Sequence, residues 1–222
     1  MNKLIYSLLI GVACIGLILL LLPAFVDYFF PRGCGAPSLA SKGRSIALAI
    51  ISKNIDLEQL GEYDLFPESP RFAEELDEIT EFSEAYFAKL FALSSDFRFS
   101  MFCGGGIVAA TNMDEFLKGD KNVWSYIGGC TLGSPLDNPP FLFSQNLRLT
   151  NEDLYYYSKP ENVNDKSFAA KLDASIKPYG DSRVVFVFRD GSTSIFRAED
   201  LTPSAFFNGY EMPPNAYVVH PR

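Results

Sequence analysis

RVVFVFRDGSTSIFRAEDL, residues 183–201, is the stretch that decides the fold. Val184, Phe186 and Phe188 fall on one side of an extended chain, and Val185 and Val187 fall on the other. Period-2 alternation in β-branched and aromatic residues marks a strand. Asp190-Gly191 interrupts the run with the residue pair that supplies positive φ angles in a two-residue hairpin turn. Thr193, Ile195 and Arg197 continue the return strand. A hairpin requires an antiparallel partner, so the domain contains an antiparallel sheet.

Working back from the hairpin, NVWSYIGGC (122–130) and PPFLFSQNL (139–147) are further strands rich in aromatic and branched residues, with a turn over residues 137–140. Upstream the period changes. Leu39, Ile46, Ala49, Ile50 and Lys53 sit at helical spacing behind the capping residue Ser38, which predicts a helix over residues 39–53. Gly43 inside it costs about 1 kcal/mol relative to Ala. Ser69-Pro70 opens a second helix, with Ser as cap and Pro at the first position, running to residue 93. Phe72, Leu76, Ile79, Phe82, Tyr86, Phe87, Leu90 and Phe91 form its apolar stripe, and Glu74, Glu75, Asp77, Glu78, Glu81 and Glu84 form a solvated face. Residues 202–222 are predicted as an irregular tail. Helices followed by paired strands give an α+β class.

At the other end of the chain lies LIYSLLIGVACIGLILLLLPAFV, residues 4–26, which holds 23 residues without a charge. A secretory signal core spans about 7–15 apolar residues and ends in a small-residue cleavage site. A membrane span needs about 20. The length fits a transmembrane anchor over residues 1–27, in contact with membrane lipid through residues 4–26. Residues 28–38, which include FFPRGCGAPS with two Pro and two Gly, are expected to form a linker that breaks any helix leaving the membrane. Residues 39–222 form the extracytoplasmic α+β domain. Lys3 before the span and Arg32, Lys42 and Arg44 after it slightly favour a cytoplasmic C-terminal side, but long domains translocate largely regardless of charge, so the count does not fix the orientation.

Removing residues 1–26 from a chain of 222 leaves 196, enough for one domain with a real core. Of 19 Lys and Arg only Lys3 precedes the domain, so 18 basic side chains face 27 acidic ones, a balance of −9. No basic stripe exists for phosphates, which argues against a nucleic-acid partner. The 4 Cys include no Cys-x-x-Cys pair and there is 1 His, so a structural zinc site is not expected. The sequence leaves open whether Cys103 and Cys130 pair in a disulfide. His220 lies two residues from the end of the sequence, where chains fray, and no Gly-x-Ser-x-Gly elbow is present. Gly104–Gly106 lack the following Lys-Ser/Thr of a phosphate loop and read as a flexible loop. The sequence therefore nominates no catalytic, cofactor-binding or metal-binding residue and no cofactor, and the chain is not expected to be an enzyme.

In order along the chain stand LLLLPAF (19–25), SLASKGRSIALAI (38–50), DEITEFSEAYFAKLF (77–91), NVWSYIGG (122–129), NPPFLFSQNL (138–147) and VVFVFRDGSTSIF (184–196). Together these segments resemble the pilin-like, pseudopilin-type proteins associated with type II secretion systems in Lentisphaerae and Verrucomicrobia. The resemblance implies a membrane-spanning N-terminal helix, then helices packed on an antiparallel sheet in a pilin-like fold. It also implies a structural or interaction role in a type II secretion or pilus-like assembly, with other envelope or secretion-system proteins as partners. The protein would be a single-pass protein of a bacterial inner membrane, with the domain in the periplasm. MNKLIYSLLIGV lacks the Gly-Phe cleavage site and the Glu that such precursors carry, so the leader is expected to stay uncut. A second class compatible with the same residues is a membrane-tethered extracytoplasmic ligand-binding or enzymatic domain of unknown substrate.

Overall fold

A computed structural model describes residues 35–59, 65–67, 81–130 and 137–222. The membrane span expected over residues 4–26 lies outside these, as do residues 70–80 of the second helix and the acidic residues Glu74, Glu75, Asp77 and Glu78. Among the described residues no helix is long and apolar enough to cross a membrane.

The α+β reading holds. Five strands, β1 (Trp124–Gly128), β2 (Pro140–Ser144), β3 (Arg183–Phe188), β4 (Thr193–Arg197) and β5 (Tyr217–Val219), form one antiparallel sheet in the order β4-β3-β2-β1-β5. The first four make a meander, and β5 returns to the far side of β1, with Tyr126 opposite Val219. Both faces of β3 are covered. Val185 and Val187 belong to the core shared with the first two helices, and Val184, Phe186 and Phe188 belong to a second core on the opposite face.

The first core lies under α1 (Gly35–Gln59) and α2 (Ser83–Leu93). Leu39, Ile46, Ala47 and Ile50 of α1 are buried against the sheet. Gly43 explains its own presence in the helix. A Cβ there would stand 2.6 Å from Val187 Cγ2 and 2.7 Å from Trp124 Cη2, so only glycine lets the helix approach the sheet this closely. Helix α1 extends beyond the expected residues 39–53 in both directions. Pro37 sits in its first turn, where the missing N–H has no partner to lose, so residues 35–38 of the expected break are helical, while residues 28–34 lie outside the described residues. At the other end Leu57 is buried, and buried Asn54 accepts the Leu65 N–H through Oδ1 at 2.8 Å.

Helix α2 starts at Ser83 because Phe82 is extended, with φ −156° and ψ 152°. The single helix expected up to residue 93 is therefore interrupted at Phe82. The interruption turns Ser83 and Glu84 inward, so that Glu84 is wholly buried rather than on a solvated face. Tyr86, Phe87 and Leu90 of the expected apolar stripe are buried as predicted.

The β3–β4 connection is one residue longer than the two-residue turn expected. Gly191 has a positive φ of 81° and Asp190 does not. Gly191 N–H donates to Phe188 C=O at 3.0 Å, and Phe188 N–H donates to Ser192 C=O at 2.9 Å. This is a three-residue loop over Arg189, Asp190 and Gly191, a tight turn followed by a glycine bulge. Asp190 favours it by accepting the Ser192 N–H at 2.7 Å.

Residues 202–222 are ordered rather than irregular. After the short α3 (Met113–Phe116), α4 (Asn151–Tyr157) and α5 (Pro203–Phe207) follow in chain order, and the last two cover the second face of the sheet with Leu154, Tyr157, Phe206 and Phe207. Thr202 caps α5 by accepting the Ala205 N–H, Pro203 occupies its first turn, and left-handed Asn208 and Gly209 stop it. Cys103 and Cys130 are both free and buried, so the Cys103–Cys130 disulfide left open by the sequence is not formed. They lie in environments of their own, Cys130 against Met212 Sδ at 3.5 Å and Cys103 against the α1 residue Lys42.

Candidate functional site

Among the described residues, Ser83, Glu84, Asn122 and Ser125 gather as buried polar groups where the first turn of α2 meets β1 and the segment after β5. Each group is delivered by a fixed element. The inward turn at Phe82 presents Ser83, whose N–H donates to His220 C=O at 3.0 Å. Its hydroxyl donates to Trp124 C=O at 2.9 Å and accepts from the Asn122 amide at 2.8 Å. Glu84 Oε2 accepts the Arg222 N–H at 3.3 Å, while Oε1 has no hydrogen-bond partner among the described residues. Arg222 lays its guanidinium over the Phe82 ring, 3.8 Å from the centroid. Burial pushes the Glu84 carboxyl up from 4.5 to about 7, and hydrogen bonds from its own N–H, Asn122 and Arg222 recover only part of that rise.

Ser125 of β1 and His220 form the second half of the region. Ser125 Oγ lies 2.8 Å from His220 Nδ1, and His220 Nε2 lies 2.9 Å from Leu149 C=O. A carbonyl can only accept, so the network assigns the proton to Nε2 and makes Nδ1 the acceptor for the Ser125 hydroxyl. The distance is that of a nucleophile and its base, but the environment is not. Ser125 is 0% exposed on a strand with neighbours on both sides, so no substrate carbon reaches its hydroxyl. The orienting partner is a neutral carbonyl, and burial drives His220 down to about 4, which makes a weak base. What the arrangement does is fasten residues 217–222 to α2, β1 and the turn before α4. The fraying expected of His220 therefore gives way to a docked strap, with Gly119 packed against Arg222 and positive in φ at 92°.

Beside the strap an open groove of about 490 Å³ runs along α2, lined by Phe82, Ala85, Ala88, Lys89, Leu117 and Arg222. The lining is largely apolar, and Glu81 shares it with Lys89 and Arg222, so the charged groups are of both signs. Glu84 lies behind the groove rather than on its wall. Among the described residues no group of three His, Cys, Asp or Glu side chains is placed to hold a metal ion. The Gly104–Gly106 run has positive φ at Gly105 and Gly106, and a Cβ on Gly105 would overlap Pro178. Its glycines thus serve a tight turn against a neighbouring loop.

Sequence reasoning found none of these polar groups as a set. Ser83, Asn122, Ser125 and His220 come from separate segments, and only the return of β5 to β1 brings His220 to Ser125. One signal was available: a Ser-Glu pair inside an apolar helical stripe, where the acid at Glu84 falls on the buried side once the helix restarts at Ser83.

No protein-family model, no curated protein and no solved structure matches this chain.

Proposed function

We propose that this chain is a membrane-anchored, pseudopilin-like envelope protein with a structural or interaction role in a type II secretion or pilus-like assembly. Residues 4–26 hold it in a bacterial inner membrane, and residues 39–222 stand in the periplasm as a docking domain. The observation that carries the reading is α1. It begins nine residues after a stretch of 23 residues without a charge, and Gly43 lets it lie tight against the antiparallel sheet formed by β1–β4. That order, an apolar segment followed by a helix packed on an antiparallel meander, is what the resemblance to pilin-like proteins implies. The closed Ser125–His220 pair supports a role without catalysis at that pair, since its hydroxyl is sealed and its base is weak.

The test is extraction and topology in the native host. Alkaline carbonate should leave the full chain in the membrane pellet, and protease added to spheroplasts should digest residues 39–222. Release into the carbonate wash, or protection of the domain until the membrane is lysed, overturns the reading.

A further inference from the structure

Two motifs singled out in the sequence meet in the fold: Lys42-Gly43-Arg44 of α1 and Cys103-Gly104-Gly105-Gly106. Lys42 Nζ donates to Cys103 C=O at 2.8 Å and stands 3.5 Å from Cys103 Sγ. The carbonyl contact holds the amine over the sulfur, so the pair is an amine and a thiol held at contact distance.

Both sides of the contact are fixed. Leu39, one turn before Lys42, is buried and would touch a Cβ on Gly104 at 3.1 Å, so α1 and the loop already pack directly. Phe102 C=O accepts the Val123 N–H at 2.9 Å, and Met101 C=O accepts the Trp124 indole N–H at 3.1 Å, which tie the loop to the start of β1. Cys103 itself is 7% exposed, a burial that hinders large thiols more than a small oxidant. Its other sulfur contact is the Ser100 C=O at 3.4 Å, a weak acceptor that does not compete chemically. Cys130 sits against Met212 and is no resolving thiol for Cys103.

We propose that Lys42 and Cys103 form an oxidation-dependent covalent bridge, Nζ–O–Sγ, that staples α1 to the loop before β1. Dioxygen is the oxidant. The S–H bond of Cys103 and one N–H bond of Lys42 break, S–O and O–N bonds form, and the O–O bond breaks. Dioxygen gains four electrons, two from sulfur and two from nitrogen. One of its atoms becomes the bridge and the other leaves as water with the two displaced hydrogens. A thiol without a second thiol in reach ordinarily climbs to sulfenic, sulfinic and sulfonic acids. Here the amine, already in contact, captures the oxygen first. The remaining Nζ–Sγ separation of 3.5 Å is spanned by a flexible four-carbon stem. The link would close a loop between positions 61 residues apart.

The test is peptide mapping of the full-length protein purified in detergent, held in aerated buffer or under argon with a thiol reductant. The aerated sample should yield a linked peptide pair containing Lys42 and Cys103, heavier than the sum of the two free peptides by one oxygen less two hydrogens, about 14 Da. Dithiothreitol should release it. Lys42→Arg keeps a donor for the Cys103 carbonyl but offers no compatible amine. It should lose the linked pair while retaining the melting temperature of the reduced wild type, which separates lost chemistry from lost fold. Cys103→Ser should lose the pair as well. Cys103 remaining a free thiol after aeration, oxidising alone with the Lys42 peptide unlinked, or linking without the added oxygen each overturns the bridge.

Discussion

Replacing Glu84 with Gln should reshape how the stability of this domain depends on pH. The carboxyl is wholly buried with one oxygen unpartnered, and burial holds it at about 7 against an ordinary 4.5. Between those values the folded chain carries a proton that the unfolded chain has released, so stability falls as pH rises through the window. At about 1.4 kcal/mol per pH unit the interval amounts to about 3 kcal/mol. His220 works in the opposite sense. Burial lowers it from 6.5 to about 4, so between those values the unfolded chain binds the extra proton and stability rises with pH by about 3 kcal/mol. In the wild type the two slopes oppose each other over about pH 4.5–6.5 and their contributions nearly cancel. Glu84→Gln removes only the falling one. The variant should therefore gain on the wild type by about 3 kcal/mol as pH goes from 4.5 to 7, whatever constant offset the new amide introduces. Glu115, Asp165 and Asp173 are held low by hydrogen bonds from Thr111, Ser167 and Ser175. They affect both proteins alike and drop out of the difference. The assay is urea unfolding of residues 36–222, which form one compact unit, followed by the fluorescence of Trp124, the chain's single tryptophan and fully buried. Parallel curves for the two proteins from pH 4 to 8 would refute the reasoning, because they would place no buried titrating carboxyl at Glu84.

Gly191→Val should cost about 1–2 kcal/mol in a melting experiment, since Gly191 holds a φ of 81° and a Cβ there meets Leu48 Cδ2 at 3.1 Å. Gly43→Ala should cost about 1–3 kcal/mol and shift the Trp124 emission, because the added methyl reaches Val187 and Trp124 at 2.6 and 2.7 Å. Ser125→Ala should cost about 1–3 kcal/mol by leaving His220 Nδ1 without a donor. It should also speed hydrogen exchange at the Ser83 amide that His220 C=O accepts, 3.0 Å away.

The strands were legible because their signal is local. Residues 184–188 announce the strand β3 by alternation, whereas the filling of both its faces is a property of the fold. The apolar stripe of α2 is equally local. The extent of α1 was not, since Pro37 reads as a breaker unless it lies in a first turn, and Leu57 is held in helix by tertiary burial. Within residues 202–222, Thr202-Pro203 is a local helix start and Asn208-Gly209 a local stop, but the Pro-rich run that follows carries no comparable signal for β5. The polar region around Glu84 and His220 was illegible for a stronger reason. It exists only because β5 crosses back to β1, a pairing between residues about ninety apart that no local pattern encodes. The closeness of Lys42 to Cys103 is likewise long-range, a contact between α1 and the loop before β1 across 61 positions.

Chemical crosslinking of the protein in its native membrane tests the central claim most directly. Intact cells are treated with a short amine-reactive crosslinker, and the chain is resolved on a denaturing gel with antibody against residues 39–222. An assembly component should give a ladder of higher species, each containing this chain with further copies or with other envelope proteins. A single monomer band at every crosslinker concentration, from cells in which the chain is membrane-bound, would contradict it.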